Sequence, residues 1–265
     1  MAIAYIHGGA NSNIASATTI TKLFPSNVTA GNLIVVGVGW GDSGTPPTCS
    51  VTDTLGNTFI SINKIRDTNN KQSSEIFYAK NILGGADTIT ATFSASANYR
   101  RLVVSEYSGA DITVPLDGNN GRLETAPGTG TDGCNSLTIT PTANGALIWG
   151  IGQETGGTTL TTGTNFTLRE NAGTGEMMAE SLIQSTAASI EATFTASINQ
   201  DVITMVAAFK EAGGAVNNFT SINIGDTWQT ISGSAVVKIN IDDTWQNAAS
   251  AQINIGDVWQ NVTLS

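Results

Sequence analysis

The stretch TITATFSAS, residues 88–96, is answered later in the chain by SIEATFTAS, residues 189–197. Each alternates apolar with polar residues, which is the period of a half-buried β-strand. Aligning the two gives an offset of 101, which also carries Leu102 onto Ile203 and Glu75 onto Glu176. Further upstream, FPSNVTAGNLIV (24–35) answers ITPTANGALIW (139–149), with Leu33 meeting Leu147 at an offset of 114. A drifting offset is what shorter loops between retained strands produce. Two halves, about 14–110 and 131–210, are therefore expected to share one strand plan.

Outward from these stretches, period-two patterns bounded by Gly, Asn and Pro recur along residues 1–210, with no helical run. Strands are expected at 33–39, 48–53, 58–65, 74–81, 87–94, 101–108, 136–140, 146–152, 165–169, 177–184, 188–195 and 202–210. The fold class is all-β. A duplicated strand series can make one jelly-roll sandwich or two immunoglobulin-like sandwiches in tandem. The reading favours a single jelly-roll-like β-sandwich built from two similar halves. The segment 111–133 is a long connection, and AYIHGGA (4–10) reads as an extra strand able to pair across the halves.

The pattern breaks at EAGGAVNNF, so residues 211–219 read as a linker. Beyond it, residues 220–265 carry three near-copies of one phrase: SINIGDTWQT (221–230), KINIDDTWQN (238–247) and QINIGDVWQN (252–261). Each has an Ile pair, Ile222 and Ile224, Ile239 and Ile241, or Ile253 and Ile255, then a Gly-Asp or Asp-Asp step, then Trp228, Trp245 or Trp259. This reads as strand, turn and strand. A three-residue turn sets Trp228 opposite Ile224, and a two-residue turn sets it opposite Asn223; the phrase allows both. An isolated hairpin is marginal in water, and a Trp carries about 150–250 Å² of surface to bury. The nine Ile and Trp residues are therefore read as an assembly or docking surface. Covering of the sandwich and Trp platforms for sugar are the alternatives.

Composition narrows the function classes. Charged residues are 12% of the chain, and Gly, Thr, Ser and Asn fill the polar positions, which suits strands joined by tight turns. A net charge of −10 opposes a phosphate backbone and an anionic membrane surface, so neither nucleic acid nor membrane is an expected partner. Apolar runs reach about eight residues against the ~20 of a spanning helix, so no transmembrane segment is expected. MAIAYIHGGANS lacks a basic start and a long apolar run, so no cleaved signal is expected either. Without a secretory signal, Cys49 and Cys134 read as small buried hydrophobes rather than a bridge.

No catalytic signature is legible. His7 is the single histidine and stands at the amino end, where it is expected to be incidental rather than a catalytic base. No His or Cys cluster suggests zinc, and no cofactor is expected. DSGT (42–45), DTLGN (53–57), DTNN (67–70) and LDGNNG (116–121) read as turns rather than calcium loops. Glu75, Glu106, Glu154, Glu176 and Glu180 lie on or beside expected strands, as a carboxylate pair for glycoside hydrolysis requires. The matching places of Glu75 and Glu176 read instead as a rule of the fold. NYRRL (98–102) reads as a solvated basic loop.

AGNLIVVGVGW, VTDTLGNTFI, EIFYAKNILGGADTITATFS, RRLVVSEYSGAD, PLDGN and the later NFTLRE and AAFK together resemble a jelly-roll-type β-sandwich module. That module recurs in bacteriophage virion and tail proteins and in bacterial surface proteins. The terminal phrases are similar to short Gly-Trp β-repeats appended to phage structural proteins. The resemblance implies a non-enzymatic virion protein, a head decoration or a tail or fibre component, assembled in the host cytoplasm. Its implied partners are other virion proteins and itself, with a trimer among the possible assemblies. A carbohydrate-binding or adhesive module meeting a host-surface glycan is the alternative, and a glycan-cleaving enzyme the third reading.

Overall fold

The structure is a computed structural model. It describes residues 2–125 and 130–213, and beyond them the strand segments 221–224, 227–230, 238–241, 244–247, 250–255 and 258–263. The described residues are all-β. Among them no helix is long and apolar enough to cross a membrane. The chain divides into two units, Met1–Ala212 and Gly213–Ser265.

The first half of the larger unit runs β1 (Ala4–Asn13), β2 (Ala17–Leu23), β3 (Leu33–Gly41), β4 (Cys49–Asp53), β5 (Ile60–Asp67), β6 (Gln72–Ala79) and β7 (Thr88–Ser108). The second runs β8 (Leu116–Glu124), β9 (Gly130–Asn135), β10 (Ala146–Glu154), β11 (Leu160–Thr162), β12 (Thr167–Ala172), β13 (Met177–Gln184), β14 (Thr193–Ala196) and β15 (Val202–Phe209). Sheet order repeats strand for strand. In the first half it is β1-β7-β3-β6-β5, with β2 and β4 flanking the opening stretch of β7. In the second it is β8-β15-β10-β13-β12, with β9 and β11 flanking β14. The long β7 serves both layers of its half and bends at Tyr99, whose φ of 44° is left-handed. In the second half the same path is broken into β14 and β15.

Alternation along the central strands sorts side chains into three cores. Leu33 and Val35 of β3 meet Leu147, Trp149 and Ile151 of β10 in a core between the two large sheets. Ile34, Val36, Val38 and Trp40 point the other way and pack with Ile20, Val51 and Phe93. Ile148 likewise packs with Cys134, Leu160 and Phe194. The result is four layers, small sheet, large sheet, large sheet, small sheet. Strands β3 and β10 are buried on both faces, which explains their near-continuous apolar runs. The large sheets stack in reversed order, β1 against β12 and β5 against β8.

Two pieces of the sequence reading change. The segment 111–133 is not a plain connection: it contains β8 and enters β9, the counterparts of β1 and β2. LDGNNG opens β8 rather than forming a turn, and the strand expected at 136–140 is only a bridge from Ile139 to Ile190. The AYIHGGA strand exists as β1, but it pairs with β7 of its own half and meets the other half by packing on β12.

The alignment also shifts. Leu33 and Leu147 remain equivalent, because their partners Tyr107 and Phe209 both enter the central core. Leu102 stands opposite Val38 as Thr204 stands opposite Gly152, so Thr204 rather than Ile203 is its counterpart. Glu75 corresponds to Met178, not Glu176, by the same pairing. A one-residue slip exchanges the faces of a strand. Leu102 accordingly lies in an outer core and Ile203 in the central one.

Candidate functional site

The terminal segment forms three hairpins: β16 (Ser221–Ile224) with β17 (Thr227–Thr230), β18 (Lys238–Ile241) with β19 (Thr244–Asn247), and β20 (Ser250–Ile255) with β21 (Val258–Thr263). Each is a separate two-stranded sheet among the described strands. Their registers are identical around the turn. Asn223 pairs with Trp228, Asn240 with Trp245 and Asn254 with Trp259, while Ile224, Ile241 and Ile255 pair with Thr227, Thr244 and Val258. Only residues 225–226, 242–243 and 256–257 separate the strands, and they lie outside the described residues, as does most of the expected linker. Of the two turns the sequence allowed, the two-residue one is present. Each Trp is therefore paired with an Asn and not with an Ile of its copy.

The polar residues singled out in the larger unit are mostly committed to its own packing. Arg100 and Arg101, expected in a solvated loop, are both buried. The Arg100 guanidinium donates to the Ala15 and Thr19 carbonyls, tying the bend between β1 and β2. Arg101 crosses between the halves. Its Nη2 stands 2.5 Å from Glu154 Oε1, its Nε 3.1 Å from Glu176 Oε2, and its Nη1 donates to Gln72 Oε1 at 2.8 Å. Glu154 and Glu176 are thus both held by one buried guanidinium.

Beside this pair, Gln72 Nε2 donates to the Thr155 carbonyl, and Thr155 Oγ1 donates to Asp67 Oδ2 at 2.6 Å. Although burial alone would raise the Asp67 carboxyl, hydrogen bonds from Thr155, Asn70 and Asn69 hold it below its ordinary value. Asp42, Asp53 and Asp67 all accept backbone N–H groups of the residues just after them. Their turns are Asx turns, with the carboxylates engaged locally.

Two buried glutamates behave differently. Glu180 takes the place of Phe77 in the second half and accepts the Gly163 and Thr193 N–H groups at 3.0 and 3.1 Å, linking β13 to the small outer sheet. Burial pushes its carboxyl up to about 8, against the two hydrogen bonds. Glu170 on β12 accepts from the Tyr5 hydroxyl of β1 at 2.8 Å, and burial raises it to about 7. Cys49 and Cys134 are both free, Cys49 in β4 and Cys134 buried in β9. His7 is not at a frayed end: it lies within β1, and only 12% of its side chain is exposed.

Comparison with known proteins finds no matching family model, no matching curated relative and no matching solved structure. The functional reading therefore rests on the residues and the fold alone.

Proposed function

We propose that this chain is a structural protein of a bacteriophage particle, in which residues 1–210 form the displayed body and the terminal hairpins join it to other copies or to neighbouring particle proteins. The observation that carries the reading is the threefold repetition of one hairpin at one register, each copy a two-stranded sheet of its own. Hairpins of that size need a surface to pack on. Constant register repeats one arrangement three times, each Trp paired with an Asn and each inner Ile paired across the turn, so that any partner surface is offered in three equivalent copies. The sequence resemblance of stretches within residues 1–210 to virion sandwich modules is what favours a particle, and assembly in the host cytoplasm goes with that reading.

Replacing Trp228, Trp245 and Trp259 together by Ser tests the reading. Sedimentation velocity of the full chain should show a defined oligomer that the triple variant fails to form. An unchanged oligomer in the triple variant would contradict the proposal.

A further inference from the structure

A second chain of polar side chains lies on the first half, away from the buried contacts between the halves. Ser26, exposed on the bend between β2 and β3, has its Oγ 2.7 Å from His7 Nδ1. His7 Nε2 stands 2.5 Å from Oε2 of the fully buried Glu106 on β7. The other oxygen of Glu106 is fixed by the Thr29 N–H at 2.8 Å and the Asn32 side-chain amide at 2.6 Å. Phe24 stacks on the imidazole, with centroids 5.1 Å apart. The ring is therefore held on one face and at both nitrogens. The His7 to Glu106 contact is close but not aligned as a regular hydrogen bond, a geometry that catalytic pairs often show before substrate binds.

The second half serves as an internal control. Glu106 pairs with Ile34 and His7 as Ala208 pairs with Ile148 and Gly118, so Gly118 and Ala208 stand where His7 and Glu106 do. Ala146 stands where Asn32 does, each just before the equivalent leucines. The same strand order forms without any of these polar groups. The fold does not require them, and a buried carboxylate is costly to keep without a partner.

We propose that Ser26 is a nucleophile activated by His7, with Glu106 as its positioning residue, and that the site hydrolyses esters of small acyl groups reaching it from solvent. A nucleophile bonded to a base that a third group orients is the recognisable arrangement, whatever the order in sequence. Here Nδ1 faces the serine and Nε2 the carboxylate, and either imidazole nitrogen can serve as base when the other carries the proton. Ser26 Oγ attacks the ester carbonyl and its proton passes to His7 Nδ1. The carbon–oxygen bond to the alcohol breaks, and Nδ1 returns the proton to the leaving oxygen. Water then attacks the acyl-Ser26 ester by the same route, releasing a carboxylic acid. The N–H of Asn27, next to the nucleophile, makes no backbone hydrogen bond among the described residues, and is assigned to the developing oxyanion.

Diisopropyl fluorophosphate tests the site on the full chain, because attack by a serine forms an oxygen–phosphorus bond, expels fluoride and leaves a mass tag. Peptide mass spectrometry should place the tag on Ser26, and Ser26→Ala, an exposed change, should remove it. His7→Gln should slow labelling by about 100-fold or more, the ordinary worth of a general base. Glu106→Gln should lower the maximal labelling rate while leaving the half-saturating probe concentration unchanged. Absence of the tag from Ser26, or an unchanged rate in His7→Gln, would overturn the proposal.

Discussion

The two halves of the larger unit repeat a strand plan and bury its open face against each other, whereas the three terminal hairpins repeat a short phrase and pair only within themselves among the described strands. The halves do this by differing where they touch. Gly37 and Gly39 of β3 face the centre where β10 presents Ile151 and Gln153; a Cβ on Gly37 would lie 3.1 Å from an Ile151 methyl, and one on Gly39 2.3 Å from Gln153 Oε1. In β10 the glycines face outward, and a Cβ on Gly152 would lie 2.8 Å from the Phe194 ring of the small sheet. One half is flat where the other is tall. No such division of large and small residues separates the hairpin copies, which are nearly identical. Duplication let the halves cover each other, whereas triplication repeated one two-stranded sheet three times.

The most damaging way to break the comparison is to cut the polar link between the halves. Arg101→Ala leaves Glu154 buried without its cation, a loss on the order of 3–5 kcal/mol. Urea unfolding of residues 1–213 measures it. A loss no larger than that of an exposed ion pair, about 0–1 kcal/mol, would mean that the link contributes little to holding the halves together.

A smaller effect sharpens the comparison by pH. Glu180 replaces Phe77, and its carboxyl titrates near 8 in the folded chain against about 4.5 ordinarily. The folded state therefore keeps a proton that the unfolded chain gives up. Its stabilising contribution is full below about pH 4.5 and is lost as pH rises through about 8. Glu170, raised to about 7, acts in the same direction. Thermal melts should fall between pH 5 and pH 8, and Glu180→Gln should flatten that slope. A slope identical in the variant would assign the pH dependence elsewhere.

The all-β class and the duplication were readable in TITATFSAS and SIEATFTAS, because strand alternation is local and the copies kept it. The alignment drifted where the chain gave no local signal. Neither the added residue between Phe194 and Thr204 relative to Phe93 and Leu102 nor the shift at Glu75 changes the apolar pattern enough to announce itself. β8 and β9 were hidden by glycines and asparagines that read as turns, although β15 pairs along the whole of β8. Arg100 and Arg101 looked solvated because burial of a guanidinium depends on carbonyls and carboxylates brought from distant strands. The approach of Ser26, His7 and Glu106 is of the same kind, assembled from three separate parts of the chain. The hairpin register was left open by the phrase itself, and pairing across the ribbon resolved it.

The measurement that bears most directly on the central claim is the solution mass, by light scattering, of the full chain beside a truncation ending at Gly213. The larger unit has its own three cores and needs no hairpin, so the truncation should remain folded and monomeric while the full chain forms a defined oligomer. A full chain that is monomeric like its truncation would contradict self-assembly through the hairpins, and an oligomer that survives the truncation would move assembly to the sandwich.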